Sequence, residues 1–170
     1  WMRSAWGMGQ TAMRLRAEDV LYCPLPFYHN NALTLAWGAV LVAGASLAMA
    51  PRFSATRFWS DIRSTRATAF VYIGELCRYL LNRPPDPADR DHAVRVVIGN
   101  GLRAEIWDTF QQRFGIRHIC EFYGSSEGNL VFVNALGLPR TAGSSAITIT
   151  PSKKASTAGF SVATAFRMAG

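Results

Sequence analysis

Val94-Arg-Val-Val-Ile-Gly-Asn-Gly-Leu-Arg-Ala104 reads as a β-strand, a glycine turn and the start of a helix, and this succession decides the fold. Similar apolar, β-branched runs recur at 20–23, 46–50, 68–73, 94–98 and 118–123, separated by stretches with helical spacing. Ser54 is a candidate N-cap for a helix over 55–66, in which Phe58 and Ile62 share one face. A second helix over 75–82 must end before Pro84-Pro85, which leaves 86–91 as an exposed loop. A third, over 104–114, places Ile106, Phe110 and Phe114 on one stripe and stops at Gly115. Strands alternating with helices predict an α/β domain with a doubly wound, mainly parallel sheet and helices on both faces.

Composition agrees with a packed domain and narrows the partners. Of 170 residues, 49% are apolar and 17% charged, with aromatics spread along the chain, which is not the composition of a disordered protein. The formal charge of +7 comes from scattered arginines without a run of like charges or an Arg-aromatic RNA-binding signature, so no nucleic-acid partner is expected. Cys23, Cys77 and Cys120 are widely separated and form no CxxC pair, which argues against a disulfide framework or zinc site and for a reducing, cytoplasmic setting. The charge-free stretch 32–50 is apolar enough to suggest a membrane span. Its Gly38, Gly44, Thr34 and Ser46, and the break at Pro51, instead predict a buried helix of about twelve residues followed by a short strand.

The glycine turn satisfies G-x-G-x-x-A through Gly99, Gly101 and Ala104, and a helix starting there would present free N–H groups to a ligand. Glu121 lies 20 residues after Gly101, where a dinucleotide fold places its ribose ligand, so an NAD(P)-dependent dehydrogenase is one alternative. Against it, the turn follows a late strand rather than the first. A second motif, Glu121-Phe-Tyr-Gly-Ser-Ser-Glu-Gly-Asn129, formally contains the G-x-S-x-G of a nucleophile elbow. His29, His92 and His118 all precede Ser126 and no acid follows Glu127, so the hydrolase order of Ser, acid and His cannot be met. The motif reads better as a ligand loop at a strand end, where Tyr123 can cover a base, Ser126 can donate to phosphate and Glu127 can hold Mg²⁺. A non-catalytic interaction module is the alternative from another class.

Four segments together are more specific than either glycine pattern. Pro24-Leu-Pro-Phe-Tyr-His29, Tyr72-Ile-Gly-Glu-Leu-Cys-Arg-Tyr-Leu-Leu81, Gly99-Asn-Gly-Leu-Arg103 and Glu121-Phe-Tyr-Gly-Ser-Ser-Glu127 occur in the order and spacing of one family. Over 19–134 the chain resembles the fatty acid transport protein/very-long-chain acyl-CoA synthetases, which are adenylate-forming, AMP-binding enzymes. The resemblance implies that the chain is part of the large N-terminal domain of such an enzyme. It implies that ATP and a long-chain fatty acid give an acyl-adenylate and pyrophosphate, and that the CoA sulfur then displaces AMP.

Carried over by motif, Tyr123 would stack on adenine, Ser126 and Gly124 would lie along the phosphates, and Glu127 would ligate Mg²⁺. Gly99, Asn100 and Gly101 would wall the adenine pocket, His29 would lie near the reacting carboxylate, and 32–41 would help line the acyl-chain side. The implied cosubstrates are ATP, Mg²⁺ and CoA, with peripheral membrane association open. The family's Ser/Thr/Gly-rich phosphate loop ending in Lys is not found in 1–18, and Ser125-Ser126 stands where the family commonly has Ala-Thr. The later ribose-binding Asp and the small C-terminal domain with its Lys do not appear either, so the segment alone is expected to be inactive. Beyond residue 143, Ser, Thr and Ala dominate, no acid occurs, and the only lysines, Lys153 and Lys154, are found. The organisation read from this is a partial AMP-binding domain over 1–143 and an atypical, disordered tail over 144–170.

Overall fold

The computed structural model describes residues 2–124 and 131–140, and the backbone of two further strands, Ile147–Ile149 and Ala163–Thr164. The tail expected over 144–170 otherwise lies outside the described residues, as do Ser125, Ser126 and Glu127.

Five strands form the predicted parallel sheet: β1 (Val20–Cys23), β2 (Ser46–Met49), β3 (Ala69–Ile73), β4 (Val96–Asn100) and β5 (His118–Gly124). They lie in the order β2-β1-β3-β4-β5, every neighbouring pair parallel. β6 (Val131–Val133) pairs antiparallel with β5, and the short β7 (Ile147–Ile149) and β8 (Ala163–Thr164) continue antiparallel beyond it. Side chains alternate across the sheet as the two-residue period demands. Leu21, Cys23, Ala69, Val71, Val96 and Ile98 enter one core, and Tyr22, Phe70, Tyr72 and Val97 enter the other.

Helices cover both faces, as expected. On the first lie α1 (Met2–Trp6), the π-helical Gly7–Ala12 that follows it, and the crossover from β1 to β2. That crossover is a π-helical stretch, Asn31–Gly38, running into α2 (Ala39–Ala43). It turns Ala32, Leu35, Ala36, Ala39 and Val40 into the core and leaves Leu33, Trp37 and Leu41 exposed. A buried helix followed by a strand is thus what 32–50 forms, and among the described residues no helix is long and apolar enough to cross a membrane. On the second face lie α3 (Phe58–Thr65), α4 (Gly74–Leu81) and α5 (Ala104–Phe114). Phe58 sits edge-on to Tyr22, Trp59 and Phe70 at 5.1–5.5 Å between ring centres, the geometry that aromatic quadrupoles favour.

Several local expectations need correction. α3 starts at Phe58 rather than Ala55, because the Ser54 hydroxyl pairs with Thr56 and does not cap; only the Ser54 carbonyl joins the helix, accepting from Arg57 and Phe58. In α5 the buried stripe is Trp107, Phe110 and Phe114, with Ile106 turned to the helix edge. The stretch 86–91 is not a loose loop: Pro87–Arg90 forms a 3₁₀ turn capped by Asp86, whose carboxylate accepts from Ala88 N at 2.8 Å. Asp89 is buried there against Arg113 Nε at 2.7 Å, and Arg113 also donates to the carbonyls of Leu81, Arg83 and Pro84. This guanidinium satisfies the end of α4 that the prolines leave open. The three cysteines are buried and unpaired, and burial pushes the Cys120 thiol up to about 12.

The most consequential correction concerns β4. It runs from Val96 to Asn100, two residues later than 94–98, because Val96 pairs with Ala69 and His118 at the starts of β3 and β5. Gly99 and Asn100 therefore belong to the strand, and only Gly101 begins the turn.

Candidate functional site

In a sheet ordered β2-β1-β3-β4-β5 the strand order switches between β1 and β3, and the carboxyl ends of the strands beside such a switch are where open α/β sheets bind ligands. The loops after β1, β3, β4 and β5 converge on that edge. His29 stands exposed on the turn after β1, its N–H donating to Pro26 O at 2.9 Å and its Nδ1 accepting from Asn31 N at 3.2 Å. The Asn31 amide reaches past the end of β3 and donates to Asn100 Oδ1 at 2.8 Å. The first and fourth strands are thereby linked above the sheet edge.

One row across the sheet explains Gly99. In the ladder Gly99 stands between Tyr72 of β3 and Glu121 of β5. Having no side chain, it lets the Tyr72 ring lie across β4, so that the Tyr72 hydroxyl donates to Glu121 Oε2. A Cβ at 99 would fall 2.6 Å from the Tyr72 ring and 2.2 Å from its carbonyl oxygen. The other Glu121 oxygen accepts from Gly101 N and, at 3.1 Å, from Leu102 N.

This removes two sequence readings. The N–H groups at the turn are not free for a phosphate, because an internal carboxylate already holds them. Glu121 is 2% exposed and satisfied within the protein, so it is not placed to receive a ribose, and the dinucleotide reading loses both supports. What the turn offers a ligand is its flat glycine backbone.

Gly101 turns the chain with φ +84°, a value that favours glycine, and the loop backs directly onto Gly74 at the start of α4. A Cβ on Gly74 would fall 1.7 Å from the Gly101 carbonyl oxygen. Beside this contact a cleft of about 540 Å³ opens between the starts of α4 and α5, its wall including Glu75, Arg78, Asn100, Gly101, Arg103 and Glu105. At the end of β5, Tyr123 is 66% exposed on the face that carries Glu121, and Gly124 closes the strand opposite Val131. The structure thus gathers His29, Asn100, Gly101 and Tyr123 at one edge and assigns Gly99 to packing. Ser126 and Glu127 follow directly but lie outside the described residues, and among the described residues no group of His, Cys, Asp and Glu could hold a metal ion.

Burial pushes the Glu121 carboxyl up to about 7, opposed by the hydrogen bonds from Tyr72, Leu102 and Gly101. A carboxyl raised on folding binds its proton more tightly in the native state, so its contribution is complete below about 4.5 and is lost as pH rises through about 7. Glu121→Gln keeps the acceptor oxygen for the two N–H groups and cannot ionise. The melting temperature of the parent protein should therefore fall between pH 5 and 8 by several degrees more than that of the variant. Parallel curves over that range would show that Glu121 does not titrate there.

A doubly wound, mainly parallel sheet with a cleft and an exposed tyrosine at the carboxyl ends of its strands has the architecture of a ligand-binding α/β domain. A family model described as "AMP-binding enzyme" matches residues 1–165, and the chain belongs to that family. Among its relatives, the medium/long-chain-fatty-acid–CoA ligase FadD6 of Mycobacterium tuberculosis is 57% identical over 143 residues, covering 84% of this chain and 24% of that protein. Long-chain fatty acid transport protein 2 of Rattus norvegicus is 49% identical over 120 residues, covering 71% of this chain and 19% of that protein. The chain thus spans about a quarter or less of the length of these curated relatives. The solved structure of ATP-bound MatB from Rhodopseudomonas palustris superposes with a TM-score of 0.69 at 23% identity, over 84% of this chain and 29% of that one, which shows a common fold.

Proposed function

We propose that this chain is the central part of the nucleotide-binding domain of an ATP-dependent long-chain fatty acid–CoA ligase. The observation that carries it is the linkage of His29 through Asn31 to Asn100 at the switch-point edge. Residues from two motifs far apart in sequence are held together there, which supports a reading in which the acyl carboxylate and the nucleotide meet beside them. The names of the relatives add the substrate class, and the ATP in the MatB complex adds the nucleotide.

The edge suits ATP by its shape: the exposed Tyr123 ring gives a base an aromatic face, and the glycine backbone at Gly101 lets it approach closely. Because Glu121 occupies the N–H groups of the turn, the phosphates would fall to Ser126, and Glu127 would hold Mg²⁺. His29, fixed through Nδ1, presents its Nε2 side to the fatty acid carboxylate. ATP supplies the adenylyl group, pyrophosphate leaves, and CoA takes the acyl chain. Exposed Leu33, Trp37 and Leu41 on the first face are compatible with peripheral attachment to a membrane from the cytoplasmic side.

ATP–pyrophosphate exchange in a full-length protein carrying this segment tests the reading. Oleate-dependent exchange is expected, together with binding of oleoyl-AMP. Binding of NADH with neither ATP nor oleoyl-AMP bound would sink it in favour of a dehydrogenase.

A further inference from the structure

We infer that Asn31 is a positioning residue, its backbone N–H directing His29 and its side-chain amide directing Asn100, so that the side chain of Asn31 leaves the Asn100 donors facing outward to anionic oxygen at the same edge as His29. The inference rests on the ligase reading above and goes beyond it, since Asn31 carries no role in any motif. Asn31 is 5% exposed, at the first position of the crossover helix, where a polar side chain must find a partner. It finds two neighbours at once. Its backbone N–H donates to His29 Nδ1, so a neutral His29 ring carries its proton on Nε2. Its side-chain amide donates to Asn100 Oδ1, which turns the two N–H donors of Asn100 away from Asn31.

Among the described residues neither His29 Nε2 nor the Asn100 amide nitrogen has another partner, and both residues are exposed at the carboxyl edge of the sheet. Glu75 and Glu105 line the cleft beside Asn100, but among the described residues neither accepts from its amide, and outward donors of this kind suit a carboxylate or a phosphate oxygen, the groups that must meet when an acid is activated by a nucleotide. Asn31 does not touch the reacting atoms in this arrangement; it acts through the other two side chains.

The test compares Asn31→Ala, Asn100→Ala, the double variant and Asn31→Asp in the full-length protein carrying this segment. Each alanine variant should lower the kcat of oleate-dependent pyrophosphate exchange about tenfold, and the double variant no further than about thirtyfold, because the two residues act as one unit. Asn31→Asp can only accept, so it turns the Asn100 amide inwards and should fall as Asn31→Ala does. A hundredfold loss in the double variant, or wild-type turnover in Asn31→Asp, would overturn the inference. Side-chain amide shifts of Asn100 by NMR give a readout that mere structural support would leave unmoved. A shifted Asn100 amide is expected in Asn31→Ala, while the His29 ring keeps its Nε2–H form because the backbone N–H at 31 is retained. Should no fatty acid support exchange, the ligase reading falls, and the Asn100 amide shifts still decide the role of Asn31: signals unchanged in Asn31→Ala remove it.

Discussion

Glu127→Gln in a full-length ligase carrying this segment should lower fatty-acid adenylation by about two to three orders of magnitude, with the melting temperature nearly unchanged. A hard divalent cation prefers a charged oxygen, and the neutral amide keeps the shape of the side chain while removing that charge. A residue serving only the loop would behave oppositely, costing stability and sparing the chemistry. Pyrophosphate exchange at limiting and saturating Mg²⁺, beside a melting curve, separates the two. Near-normal exchange at limiting Mg²⁺ would remove Glu127 from the site and weaken the assignments of Tyr123 and Ser126 with it.

Gly99→Ala should have the largest effect on stability, about 3–5 kcal/mol by the shift of the urea midpoint at constant slope. The added methyl meets the Tyr72 backbone as well as its ring, so a change of rotamer cannot relieve it. Displacing the ring breaks the hydrogen bond to Glu121, a carboxylate buried at 2% exposure that would lose one of its three donors. Tyr72→Phe is the control: it loses the same hydrogen bond without the clash and should cost about 1–2 kcal/mol. If Gly99→Ala cost no more than Tyr72→Phe, the steric account of this row would be wrong and only the hydrogen bond would matter.

How far the sequence could be read depended on the distance over which each feature is decided. The strands and the end of α5 at Gly115 were legible because apolar runs and glycines act locally. The start of β4 was not, since it is set by where β3 and β5 begin. The buried stripe of α5 was misread by one residue because both Ile106 and Trp107 fit a helical period and only packing chooses between them. His29, Asn100, Gly101 and Tyr123 were singled out from their motifs, and they lie at the carboxyl edge of the sheet. Asn31 and Tyr72 were not, because their partners lie 69 and 49 residues away and neither carries a spacing signal of its own. Glu121 was noticed for the wrong reason: its distance in sequence from the glycine turn suggested a ligand contact, while the geometry made it the internal partner of that turn.

The contact between Gly74 and Gly101 bears on how this edge can change over many generations. A tight spot in a core is usually relieved by trimming one neighbour when the other grows, so that paired substitutions drift together. Here neither residue has anything to trim, since the obstacle at Gly74 is the Gly101 carbonyl itself. At Gly101 the backbone angle disfavours any side chain before space is considered. No compensating pair exists for this contact, so the junction of the third and fourth loops should stay fixed in lineages that vary freely around it. A survey of tolerated double substitutions should find pairs recovering function at Asn31 and Asn100 but none at Gly74 and Gly101.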